Sequence, residues 1–149
     1  MMRDWVVLAA LFAGVAGCAS TPQATVARDT EAKTFPSHPA TAALYIFRPD
    51  NAAEDSVLWV DNRLIGATLP GAYFVVHVEP GRHVLSGLAA DNGRLMLESR
   101  PGEVVFVALR VTGGQSRFER VLLEMGRKTL LNCCALLENW APGQRPLLR

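Results

Sequence analysis

The sequence predicts an all-β body, a small antiparallel β-sandwich of seven or eight strands with a short C-terminal helix. Two observations carry that expectation. From residue 41 onward apolar residues recur with a period of two. Turn signals also punctuate the chain at short intervals: Asp61-Asn62, Pro70-Gly71, Pro80-Gly81, Asp91-Asn92-Gly93, Pro101-Gly102 and Gly113-Gly114.

Ala42, Leu44 and Ile46 alternate with Ala43, Tyr45 and Phe47, and both sets are apolar. That pattern predicts a central strand covered on both faces, ended by Arg48-Pro49-Asp50. Asn51 to Asp55 reads as a polar loop, and Val57 to Val60 as the next strand. Asp61-Asn62-Arg63 reads as a tight turn, because Asn tolerates a positive φ and Asp can bond its own backbone. Leu64 to Thr68 returns to complete a hairpin. Tyr73 to Val78 places Phe74, Val76 and Val78 on one face. His83 to Ala89 is its expected partner across Pro80-Gly81. Leu95 to Glu98, Val104 to Val111 and Phe118 to Leu123 supply the remaining strands. Glu124 to Leu131 reads as two turns of helix weakened by Gly126. Residues 137–149 read as a loose, turn-rich tail.

The N-terminus reads differently. Arg3 precedes an apolar run from Trp5 to Ala13, and the small residues Gly14, Ala16 and Gly17 follow. This is the order of a secretory signal. An apolar stretch of about 14 residues falls short of the roughly 20 that cross a bilayer as a helix. Val15-Ala16-Gly17-Cys18 resembles the lipobox of bacterial lipoproteins. The resemblance implies removal of residues 1–17 and acylation of Cys18, whose thiol is the nucleophile that takes the lipid. Two or more acyl chains hold stably, at about 0.8 kcal/mol per buried CH₂. The absence of aspartate at position 19 leans toward the outer membrane, facing the periplasm. Residues 18–40, rich in Ala, Thr, Ser and Pro, then read as the lipidated cysteine and a flexible tether, with the body at 41–136.

The chain has 149 residues and a formal net charge of +1, with 19% charged residues. This length fits one domain. No Lys/Arg run grips nucleic acid, so none is expected as a partner. No G-x-S-x-G, H-E-x-x-H or phosphate-cradling glycine loop occurs. Neither enzyme chemistry nor a cofactor is expected. Of the three histidines, His77 and His83 flank the Pro80-Gly81 turn, with Glu79 between them. No third strong ligand has fitting spacing, so no metal is expected. His38 reads as an exposed loop residue. Cys133-Cys134 reads as one buried and one surface thiol, because neighbours on a strand face opposite sides. A disulfide between two copies is the other reading weighed, and oligomeric state stays open. Trp140, in a polar tail, either covers the sheet end or marks a contact.

Residues 57–87 resemble small surface modules with a Val-x-Val-Asp-Gly turn, a hydrophobic strand and Pro-Gly-x-His, as in PEGA-type domains. A closer resemblance is to the bacterial lipoprotein family known as domain of unknown function 2846. It is carried by Tyr45-Ile46-Phe47-Arg48-Pro49, Val60-Asp61, Gly66, Tyr73-Phe74, Pro80-Gly81-Arg82-His83 and Pro101 to Val107. Asn62 departs from a usual glycine, and Phe106 from a usual tyrosine. The resemblance implies a sandwich fold and an envelope location, and supplies no catalytic residues. The resulting expectation is a non-catalytic envelope lipoprotein that binds an envelope protein or peptidoglycan. Its interaction surface would include Asp61, Asn62, Arg63, His83 and Trp140. A carrier or sensor of a small ligand between or at the edge of the sheets is the alternative, and an envelope hydrolase comes third.

Overall fold

A computed structural model of the chain describes residues 21–51, 56–87 and 93–139. The signal segment, Cys18 and Trp140 lie outside the described residues. Helix α1 spans Val26–Ala32 and is followed by β1 (Ala42–Arg48), β2 (Ser56–Val60), β3 (Arg63–Thr68) and β4 (Ala72–Val78). Then come β5 (Gly81–Ser86), β6 (Arg94–Ser99), β7 (Val104–Thr112) and β8 (Gln115–Val121). Helix α2 (Leu123–Cys133) and the short β9 (Ala135–Leu136) complete the described elements.

The strands form a five-stranded sheet in the order β8-β7-β1-β4-β9 and a four-stranded sheet in the order β3-β2-β5-β6. The first is mixed, since β1–β7 and β4–β9 run parallel. The all-β antiparallel sandwich is therefore corrected to a mixed α/β fold with two sheets and two helices. The helix that escaped the sequence reading is α1. Seven residues without a sustained apolar stripe give almost no periodic signal.

The two faces of β1 explain the layering. Ala42, Leu44 and Ile46 join Leu58, Val60, Leu85, Phe74, Val76 and Val107 in a core shared by both sheets. Ala43, Tyr45 and Phe47 turn the other way, joining Phe35, Tyr73, Phe106 and Leu130 in a second core beneath the helices. Every residue of β1 is buried, as its apolar pattern on both faces requires. In the second core Phe35 packs edge-on to Tyr45 and Phe106, both at 5.2 Å between ring centroids. Such pairs contribute roughly 0.5–1.5 kcal/mol beyond area burial.

Gly126 shows why α2 carries a poor helix former. A Cβ there would lie 2.4 Å from Cβ and Cγ of Phe106. The helix backbone rests directly on that ring, and a hydrogen is all that fits.

Arg48 is 1% exposed, so its charge must be met inside the protein. Its Nε donates to Asp50 Oδ1 at 3.1 Å and its NH1 to the Thr68 carbonyl at 3.1 Å. The other Asp50 oxygen accepts from the Val111 N–H at 3.2 Å, so the chain leaving β1 is clipped to β3 and β7.

Residues 21–40, expected as a tether, are folded onto the body from Thr21 to Phe35. Thr25 caps α1 by accepting from the Arg28 N–H at 3.3 Å. Gln23 pairs antiparallel with Leu137, extending the first sheet past β9. Thr21, 5% exposed, both donates to the Ala67 carbonyl and accepts from the Ala67 N–H, each at 2.9 Å. One hydroxyl thereby joins the edge of the first sheet to β3 of the second. Leu137, expected in a loose tail, is buried.

Cys133 and Cys134 are joined to each other by a disulfide, which corrects the reading of them as two separate thiols. The strand assumed for them is absent. Cys133 ends α2, and Cys134 is the extended residue that caps it.

Candidate functional site

Alternation along β4 sends Tyr73, Val75 and His77 toward the helix layer, opposite Phe74, Val76 and Val78. Helix α1 lies over part of that face and leaves a groove of about 460 Å³ beside it. Arg28 and Glu31 of α1, His38, His77 and Glu138 form its polar rim, and Tyr45 contributes to its lining.

Asp29 holds α1 in place. Its Oδ1 accepts from the Tyr73 hydroxyl at 2.8 Å and from the Leu136 N–H at 3.0 Å. Its Oδ2 accepts from Lys33 Nζ at 2.8 Å. Burial alone would push this carboxyl up. The hydrogen bonds from Lys33, Tyr73 and Leu136, with the Lys33 charge, outweigh burial and hold it below the ordinary carboxylate value. Burial, followed by the Asp29 carboxylate, pushes the Tyr73 phenol well up. Burial takes Tyr45 up to about 12, and its hydroxyl donates to the Ala32 carbonyl at 2.8 Å.

The His38 and His77 rings stand edge-on, 5.0 Å between centroids. Burial, then the neighbouring His38, lowers the His77 pKa and favours its neutral form. Arg28 and Glu138 form an ion pair across the rim. The groove lining holds no serine, threonine or cysteine among the described residues. It offers the His77 imidazole, held toward its neutral form, the paired Arg28 guanidinium and Glu138 carboxylate, and the Tyr45 ring. No group of three or more His, Cys, Asp or Glu is placed to hold a metal among the described residues.

Four of the residues expected to form the interaction surface, Asp61, Asn62, Arg63 and His83, meet at the β2–β3 turn, and Trp140 lies outside the described residues. Asp61 and Asn62 occupy the β2–β3 turn with φ of 50° and 62°, the left-handed pair that a type I′ hairpin needs. Arg63 follows them, exposed. His83 is buried, with Nδ1 2.6 Å from Asp61 Oδ2 and Nε2 2.6 Å from the Glu79 carbonyl oxygen. Asp61 also exchanges hydrogen bonds with the Val84 backbone, each at 2.9 Å. His83 therefore braces the hairpin against β5 and is not part of an open surface. His77 and His83 lie in different sheets, and the neighbour of His77 is His38, from the stretch read as a tether. The groove residues were missed because α1 was missed. The sign that could have revealed it is Thr25 as a cap followed by the Asp29–Lys33 pair at i,i+4.

The outer face of the four-stranded sheet offers a second surface. Trp59 and Val84 are half-buried there and Met96 is exposed. No described helix is long and apolar enough to cross a membrane.

No family model matches the chain, and no solved structure matches it. An uncharacterized protein of Haemophilus influenzae is 27% identical over 124 residues, spanning 78% of this chain and 74% of that protein.

Proposed function

We propose that this chain is a non-catalytic lipoprotein of the bacterial envelope, anchored by acyl chains on Cys18, that binds a partner through its helix-side groove. The observation that carries the reading is the position of Val15-Ala16-Gly17-Cys18 at the end of a short apolar run. The ordered likeness to the domain of unknown function 2846 lipoproteins supports it. The groove supports the binding half, because it sets an Arg28–Glu138 ion pair, Glu31 and two histidines around an open space lined by Tyr45. The ligand alternative is narrowed by the space around Ile46, Phe74, Leu109 and Leu137 between the sheets, which has no room for a water-sized molecule. A small ligand would then occupy the groove.

Mass spectrometry of the mature N-terminus tests the anchor. The expected result is a chain beginning at Cys18 with diacylglyceryl and acyl mass. An unmodified thiol or an uncut leader would overturn it. Cys18→Ala should move the protein from the membrane fraction into the soluble fraction.

A further inference from the structure

Thr21 sits where the two sheets meet: its hydroxyl bonds Ala67 of β3, and Gln23, two residues on, bridges to Leu137 just past β9. The next residues are equally fixed. The Glu138 N–H donates to the Pro22 carbonyl at 2.8 Å, and the Ala24 N–H to the Leu136 carbonyl at 2.9 Å. Cys18 precedes Thr21 by three residues, so their Cα atoms can be no more than about 11 Å apart. A leash running to residue 40 would have reached roughly 75 Å. The interfacial layer on each side of a bilayer is about 5–8 Å thick. The covalent reach from the acylated residue to the folded body is therefore close to one headgroup layer.

We propose that the body is seated on the bilayer through the edge made by residues 21–24 and β3, with the lipid headgroup layer as that edge's partner. The proposal rests on the lipid-anchor reading of Cys18. Pro22 and Leu69 are exposed at this edge. Strand β8 borders the opposite side of the first sheet. Five strand spacings of roughly 4.8 Å put it about 24 Å from residues 21–24. The stretch of β8 around Glu119, which lies beside β6 at the border of the second sheet opposite β3, therefore stands in the aqueous compartment. The groove stands beside the lipid, because Glu138 belongs to its rim and is bonded to Pro22.

The test uses the lipidated protein in vesicles of phosphatidylethanolamine and phosphatidylglycerol carrying a headgroup spin-labelled lipid. A thiol-reactive fluorophore is placed on Pro22→Cys or, separately, on Glu119→Cys, both exposed, with the unsubstituted chain as background. Quenching should be at least about threefold stronger at 22 than at 119, given the five strand spacings between residues 21–24 and β8. Inserting about sixteen Gly/Ser residues between Ser20 and Thr21 adds roughly 22 Å of reach and should bring the two signals together. The acyl mass is measured on the same samples. Acylated protein with equal quenching at both sites, or stronger quenching at 119, overturns the seating and leaves the anchor standing. A spacer variant that keeps the original ratio also overturns it. Absence of acyl mass overturns both readings.

Discussion

Gly126 of α2 lies so close to Phe106 of β7 that a Cβ added to it would fall 2.4 Å from the ring. Two effects oppose each other when Gly126 becomes Ala. Helix propensity favours alanine by about 1 kcal/mol. Overpacking against a fully buried ring costs about 1–3 kcal/mol, more where backbone must move. Phe106 also contacts Phe35 and Tyr45, so it has little freedom to retreat. The expected net outcome for Gly126→Ala is a loss of about 1–2 kcal/mol in urea unfolding. An unchanged or raised midpoint would show that α2 does not rest on Phe106.

Asp29 joins α1 to β4 and β9, and its carboxyl is held below the ordinary value of 3.8. A carboxyl with a lowered folded pKa adds stability that is complete above its unfolded pKa. That stability is lost as pH falls through the folded value. Asp29→Asn should therefore be less stable than the parent at pH 6, by about 1–3 kcal/mol for charge-assisted bonds. The gap should close as pH falls below 3.8. Urea unfolding of both proteins from pH 6 to pH 2 reads this directly, and a pH-independent gap would contradict it.

His77 gives the opposite kind of group with the same sign. Its folded pKa is lowered from 6.5, first by burial and then by His38. The unfolded chain binds the proton better. The native state thus has its full His77 contribution above pH 6.5 and loses it as pH falls through the lowered folded value. Proton-detected titration of the His77 ring should give a midpoint below 6.5. His38→Gln should raise that midpoint while leaving the burial effect in place. A His77 midpoint at or above 6.5 in the parent would contradict the groove geometry.

Most strands were legible because their alternation is strong and their turns are marked by Pro-Gly, Gly-Gly and Asp-Asn. The apolar residues on both faces of β1 pointed to its central place. What the sequence concealed was long-range. The parallel pairing of β1 with β7 leaves no local mark, and two-residue β9 has no period at all. α1 is stabilised by Asp29, Tyr73, Tyr45 and Phe35, residues far apart in the chain, while its own composition suggests a linker. The groove went unseen for the same reason, since its rim brings residue 28 beside residue 138 and residue 38 beside residue 77. His83 was recognised as a turn-side residue. Its bracing of Asp61 depends on the hairpin β2–β3 docking onto β5, which no local pattern encodes.

The pairing of Gln23 with Leu137 also sets a timetable for assembly. A chain emerging with its N-terminus first holds one half of this seam at the outset and the other half only when nearly the whole body has followed. Until then the first sheet lacks its border and the helix layer has no clasp. The body stays open until then, and closure of this seam waits for the last stretch to arrive.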